Sequence, residues 1–413
     1  MISRRLLLSA ASAALASACV PSGGGGGVAR GPGGEAPPPR PVPNAGWDAW
    51  VAAYKDRAAA RGLSRGVIDT AFRGAGFLPE VIEKDRNQTE FKRTTEDYLN
   101  IAASDERLAM GRSKYAAYGS TLTALQARYG VDAQIIAAVW GLESFFGTRR
   151  GNVPVVSALS TLAYEGRRGE FFEGQLTAAL RILQRGDTTA GQMVGSWAGA
   201  MGHTQFIPTS YLEFAVDYTG DGRADIWAED PSDALASTAA YLKRSGWTAG
   251  LPWGMEVILP AGFAPSLLGR GKGKSAAEWQ AMGVRAATGR SLAGGSIIAP
   301  GGIGGPAFLL TGNFAVILRY NNAENYALGV GHLSDRLVGA GPLAVAFGPD
   351  ANGLTKAERQ EIQRLLTAKG FDTGGSDGVI GAKTEAAIRA FQASRGLAVT
   401  GVPSPALLAA LRG

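Results

Sequence analysis

The chain has 413 residues, 46% hydrophobic and 18% charged, with 59 glycines and a formal net charge of +6. That length allows two or three globular domains with separate cores, and one cysteine excludes an intrachain disulfide. The positive balance suits a polyanionic partner (nucleic acid, anionic lipid or bacterial cell wall), but no basic cluster of the nucleic-acid kind is present.

Residues 1–18, MISRRLLLSAASAALASA, place Arg4 and Arg5 ahead of an apolar, small-residue stretch from Leu6 to Ala18. This pattern is a secretory signal, too short to span a membrane as a helix. Ser3-Arg4-Arg5 followed by Leu7 and Leu8 reads as a twin-arginine signal or as a Sec signal with two arginines, and either exports the chain to the periplasm. Cys19 follows Leu15-Ala16-Ser17-Ala18, which reads as a lipoprotein site that would anchor Cys19 in a membrane or as plain cleavage after Ala18. Residues 19–45 are Gly- and Pro-rich without apolar periodicity, a tether.

From Trp47 to about Gly130 the spacing is helical, with Ser104 ahead of Asp105 and Glu106 as a helix cap. Residues 131–147, VDAQIIAAVWGLESFFG, set Glu143 in an otherwise apolar run. Ile136, Val139 and Glu143 share one helical face, so the carboxyl points toward the interior or a cleft. Such a Glu is either desolvated with a raised pKa, which suits a proton donor, or a structural acid paired with an Arg. Ser144 and Gly147 are expected to loosen the helix end.

Residues 195–211, GSWAGAMGHTQFIPTSY, combine small residues with Ser196, His203, Gln205 and Tyr211 as hydrogen-bonding groups, a ligand-facing segment or a tight helix corner. Residues 217–233 carry Asp217, Thr219 and Asp221 with Gly222, the first half of a calcium loop; Arg223 would add its carbonyl, and Asp225 with Asp233 or Glu229 would complete the shell in place of Ala228. A metal-free Asp–Gly turn fits the same residues. His203 and His332, the only histidines, show no metal-ligand or triad spacing. Residues 255–260 and 314–320 read as short strands, 264–306 as loop with one helix near Ala276–Met282, and Tyr326–Val338 as helix. A linker at 341–353 leads to 354–413, a three-helix module opened by the capping box Thr355-x-x-Glu358.

VWGLESFFG, LSTLAYEGRRGEFF, GSWAGAMGHTQFIPTSY, DYTGDGRADIW and ILRYNNAENYALGVGHL together resemble the lytic murein transglycosylase B family over residues 46–340. IQRLLTAKGF, DGVIGAKTEAAIRAFQ and GLAVTG resemble the peptidoglycan-binding domain 1 family. The resemblance implies a mainly α, lysozyme-like catalytic domain with a small β element, joined to a small three-helix binding domain. It implies cleavage of the β-1,4 bond between N-acetylmuramic acid and N-acetylglucosamine to a 1,6-anhydro end, with Glu143 as the sole catalytic acid and base. Ser196, Gln205, Tyr320, Asn321, Tyr326 and Tyr98 would line the glycan cleft, and Arg167 and Arg168 would face the stem peptide. The chemistry would need no cofactor, while Asp217, Thr219, Asp221, Arg223 and Asp233 correspond to the family's structural calcium loop. The implied partners are glycan strands and stem peptides, met as a monomer and without nucleic acid. Rival readings are a hydrolytic muramidase, which needs a second carboxylate with Glu324 first in line before Asp217 and Glu165, and a non-catalytic wall-binding scaffold.

Overall fold

The computed structural model describes residues 37–87 and 93–413; the signal, Cys19 and the start of the tether lie outside them. Helices α1 (Ala45–Ala60), α2 (Arg65–Phe72), α3 (Pro79–Arg86), α4 (Thr95–Ala102), α5 (Asp105–Ala117) and α6 (Gly119–Tyr129) lead to α7 (Ala133–Ser144). Strand β1 (Val153–Pro154), α8 (Val155–Glu165), α9 (Gly169–Arg185), β2 (Val194–Gly195), α10 (Pro208–Phe214) and α11 (Ser232–Arg244) follow. Ser104 caps α5 by accepting from Arg107 N, and Pro208 opens α10 at its first turn.

A small antiparallel sheet comes next, from β3 (Gly254–Ile258), α12 (Ala276–Ala281), β4 (Arg285–Ala286), β5 (Ser296–Ile298) and β6 (Ala307–Leu310), in the order β4-β3-β6-β5. The region expected to be loop therefore supplies two of its four strands. β4 and β5 are two and three residues long, too short for alternation to show in the sequence. Residues 314–320, expected to be a strand, lie in α13 (Gly312–Tyr320). A short β-branched apolar run fits strand or buried helix alike. Here Thr311 decides it by capping Asn313 N, while the Asn313 amide binds the carbonyls of Thr248 and Leu251. Helix α14 (Glu324–Leu337) closes the large domain.

Beside a core on the sheet around Met255, Trp279 and Leu309, two apolar cores hold the helices of this domain. One joins α1, α2, α8 and α9 through Tyr54, Ile68, Leu159 and Leu176. The other wraps α7 with α6, α11, α13 and α14 through Leu125, Leu235, Ile317 and Leu328. Every residue of α7 except Gln134 is buried, so this helix has no polar face and runs through the centre of its core. Within the segment expected to be a linker, Leu343 and Phe347 pack on the core, and the Glu256 carboxylate accepts from Ala344 N and Val345 N.

The C-terminal module packs α15 (Lys356–Ala368), α16 (Ala382–Ser394) and α17 (Pro405–Arg412) around Ile362, Leu366, Phe391 and Leu408. Thr355 and Glu358 form the expected capping box. A polar joint ties the module to α4. Buried Arg359 donates to Gly378 O and Leu354 O inside the module, to Asp350 at 2.9 Å, and to Glu96 of α4, with Asp97 at 3.4 Å. Lys356 donates to Asn100 of the same helix at 2.7 Å.

Candidate functional site

Glu143 lies one residue from the end of α7 and is 4% exposed. Its Oε1 accepts a 2.6 Å hydrogen bond from the phenol of Tyr326 on α14. Burial, reinforced by the Glu143 charge, pushes the Tyr326 and Tyr320 hydroxyls well above the usual phenol range, so both remain donors. Tyr320 ends α13, donates to Thr204 O at 2.6 Å and packs edge-on against Tyr241. Tyr98 of α4 lies against Gly329 of α14, where an added Cβ would sit 2.7 Å from its ring, and its hydroxyl is close enough to Tyr326 to act on it electrostatically.

The helix end beyond Glu143 is clamped rather than loosened. Phe145 and Phe146 both take left-handed backbone, with φ of 51° and 56°. This conformation costs an L-residue about 1–2 kcal/mol and needs surroundings that enforce it. Phe146 wedges between Gly111 and Gly141, at each of which a Cβ would lie 2.5 Å from its ring tip. Ser144 accepts from Gly147 N at 2.9 Å and donates to His203 O at 2.5 Å, and Arg149 N donates to Ser144 O.

The segment 195–211 folds into tight turns beside this helix end. Ser196 Oγ accepts from Ala198 N and Ala200 N, which orients the turn, and Gly151 lies so close to Gly195 that a Cβ would be 2.3 Å from its carbonyl. Gln205, with φ of 54°, donates through Nε2 to Arg150 O and Gly202 O. Asn321 caps the end of α13 and accepts from Ala323 N, the residue just before α14 begins. An open cavity of about 450 Å³ adjoins these turns, lined by Thr148, Arg150, Gln192, Asp225 and Trp227.

Arg167 and Arg168 lie just before α9, with Arg168 as its N-cap. Arg167 pairs with Asp85 at 3.5 Å, and the Arg168 guanidinium stacks over Phe171 and Phe172. The three rival acids are engaged elsewhere: Glu324 pairs with Arg270, Glu165 accepts from Arg86 and Arg167 N, and Asp217 accepts from Gly220 N and Gly222 N.

The calcium-like loop is an all-oxygen donor set, which suits a hard cation. Its carboxylates nevertheless face backbone N–H groups. Asp233, 3% exposed, accepts from Tyr218 N, Thr219 N and Asp225 N, and Asp221 accepts from Arg223 N. Among the described residues no three acids, histidines or cysteines converge to hold a metal. Asp217, Thr219, Asp221, Arg223 and Asp233 all lie on or beside this one loop.

His203, which the sequence offered only as one hydrogen-bonding group of this segment, is held by partners from distant parts of the chain. Trp140 Nε1 donates to its Nδ1 at 3.2 Å, and its Nε2 lies 2.7 Å from Ala228 O. Burial pushes its pKa down to about 4, so the ring is neutral. No spacing rule marks a residue whose partners lie 63 and 25 positions away.

With this geometry in place, comparison with known proteins gives consistent relatives. Residues 46–335 match the transglycosylase SLT domain, and residues 355–411 match a peptidoglycan binding domain. The chain is 34% identical over 209 residues to the membrane-bound lytic murein transglycosylase B of Escherichia coli (strain K12), a match spanning 50% of this chain and 56% of that protein. It resembles Pseudomonas aeruginosa SltB3 in complex with NAG-NAM-pentapeptide, at 48% identity and a TM-score of 0.71, covering 89% of this chain and 100% of that one. It also resembles Escherichia coli Slt35 in complex with calcium, at 28% identity and a TM-score of 0.60, covering 70% of this chain and 92% of that one.

Proposed function

The chain belongs to the transglycosylase SLT domain family, and we propose that it is a lytic transglycosylase that cleaves the MurNAc–GlcNAc bond of peptidoglycan with Glu143 as its only acid and base. The observation that carries this reading is a single buried carboxyl on the family's own helix motif, oriented by the Tyr326 phenol at 2.6 Å. A glycosidase that uses water needs two carboxylates. One suffices when the nucleophile is inside the substrate.

Protonated Glu143 gives its proton to the glycosidic oxygen as the C1–O bond breaks. The 2-acetamido group stabilises C1 from the opposite face. The Glu143 carboxylate then takes the proton of the muramic 6-hydroxyl as O6 bonds to C1, leaving the 1,6-anhydro ring and regenerating the protonated acid. Intramolecular attack gains effective molarity and consumes no water. Tyr326 holds one Glu143 oxygen in place through both steps.

Tyr98, Tyr320, Asn321, Gln205 and Ser196 line the glycan path on this reading; Ser196, Gln205 and Asn321 act by shaping its backbone, since their side chains already bind main-chain groups. Arg167 and Arg168 serve a stem peptide at a distance from the reacting bond. The pentapeptide complex of the Pseudomonas relative supports peptide-bearing glycan as substrate. The matching C-terminal module (residues 354–413) supports wall binding. We assign 46–340 to catalysis and 341–353 to the linker, and place the protein in the periplasm as a monomer, with Cys19 as the residue that would anchor it. The chemistry needs no cofactor. The loop 217–233 is a brace closed on its own amides, to which calcium would be a structural addition.

Glu143→Gln tests the assignment. The variant is expected to fold and to bind sacculi, yet release no fragments. Release near the wild-type rate would overturn it.

A further inference from the structure

The strained backbone of this molecule gathers around one side chain. Among the described residues only Phe145, Phe146 and Gln205 are non-glycines with positive φ. Two follow Glu143 and Ser144 directly, and the third lies two positions beyond His203. His203 touches both strained turns. Its carbonyl receives the Ser144 hydroxyl at 2.5 Å, its amide donates to Ile226 O at 3.1 Å, and its ring fills the space beside Gly147, where a Cβ would lie 2.4 Å from Nδ1.

The ring's bonding is fixed by its neighbours. An indole N–H can only donate, so Nδ1 accepts from Trp140 and Nε2 carries the proton that goes to Ala228 O. Arg150 Nη1, 3.2 Å from Nε2, is then a donor facing a donor, and is satisfied instead by the carbonyls of Trp227 and Ala228. Trp140 lies one helical turn before Glu143, on the same side of α7. Ser144 is the residue after it. His203 therefore grips the helix on both sides of the acid and ties it to residues 226–228, which lie within the loop 217–233.

We infer that His203 is a positioning residue for Glu143: its neutral ring holds the Trp140 indole, and through it the strained end of α7, so that the acid meets the reacting bond in one orientation. This inference rests on the assignment of Glu143 as the acid. A ring that only filled space would be replaceable by any side chain of similar size. One that positions through Nδ1 is replaceable only by a group that accepts from Trp140.

Two conservative variants separate these roles. His203→Asn places an amide oxygen near Nδ1 and can accept from Trp140; His203→Gln places its amide near Nε2 and serves Ala228 O but leaves the indole unpaired. On soluble glycan strands of defined length, the Gln variant is expected to lose at least about tenfold in kcat with KM unchanged, which is the signature of an interaction needed only in the transition state. The Asn variant should keep kcat within about threefold of wild type. A Gln variant at the wild-type rate, equal losses in both variants, or a change confined to KM would overturn the inference. Should thermal melts show the Gln variant unfolded, Trp140→Phe removes the same N–H from the other side, and a wild-type kcat there would overturn it equally. Glu143→Gln in the same assay separates the two assignments: turnover there would remove Glu143 as the acid, whereas its silence with a wild-type His203→Gln would remove His203 alone.

Discussion

Replacing Gly141 by Ala sets two effects of opposite sign against each other. Gly141 lies within α7, where Ala is the better helix former by about 1 kcal/mol. An added Cβ would lie 2.5, 2.9 and 3.0 Å from three carbons of the Phe146 ring. That ring has no room to retreat. Phe146 is 1% exposed, packs edge-on against Trp140 at 5.6 Å between centroids, and meets Gly111 on another side at the same closeness. Overpacking of this kind costs about 1–3 kcal/mol. The Phe146 backbone is already left-handed and has little freedom to share the shift. The net expectation is destabilisation by up to about 2 kcal/mol, which for a domain of this size lowers the melting temperature by up to roughly 4 °C. Because the same turn fixes Glu143, kcat should fall by more than the stability loss implies at 25 °C, where nearly all molecules remain folded. Calorimetry together with turnover on soluble glycan reads both quantities. A variant that melts above wild type would mean that Phe146 yields and helix propensity dominates, which would refute the account of the wedged helix end.

Tyr326→Phe removes only the hydroxyl that donates to Glu143; losing a hydrogen bond of about 1.5–3 kcal/mol to a charged group, formed already in the resting protein, should lower the melt by a few degrees and kcat by roughly 10- to 100-fold, and a wild-type rate would contradict the orienting role. Arg359→Met strands the carboxylates of Glu96, Asp97 and Asp350, a loss of about 3–5 kcal/mol that should split denaturant unfolding into separate module and domain transitions, where a single unchanged transition would refute the joint. His203 has a folded-state pKa of about 4 against an ordinary 6.5, so between these values the unfolded chain binds the extra proton. Stability is therefore full above about pH 6.5 and declines as pH falls toward 4, by about 3 kcal/mol for this one group. His332 acts in the same direction. Unfolding titrations from pH 7 to 4.5 should show that slope, reduced in His203→Gln; an equal slope in the variant would refute it. Chelating divalent cations should leave turnover unchanged, because no step passes through a metal.

Local signals carried much of this architecture. The burial of Glu143 was legible because it shares a helical face with Ile136 and Val139, and the cap at Ser104 and the capping box at Thr355–Glu358 follow from neighbouring residue types. The hydrogen bond from Tyr326 to Glu143 was not legible, since the two lie 183 residues apart and the motif resemblance offered Tyr326 only as a cleft residue. Residues 314–320 misled because Phe-Ala-Val-Ile-Leu fits a buried helix and a strand equally, and the decision fell to Thr311 and Asn313 just outside the run. The strands β4 and β5 are defined by pairing with distant partners rather than by pattern. The His203 grip and the Arg359 joint are long-range polar contacts of single residues, and no local spacing encodes them. Glycine at 147 and 111 makes room for side chains that approach from elsewhere in the chain, His203 and Phe146, so its necessity there appears only in three dimensions.

The most direct test of the central claim is mass spectrometry of fragments released from isolated sacculi by the purified protein in ¹⁸O-labelled water, with Glu143→Gln as control. The account predicts fragments ending in 1,6-anhydromuramic acid that carry no label and are absent from the control. Fragments heavier by one labelled water would show that the bond is hydrolysed, and a second carboxylate would have to share the work of Glu143.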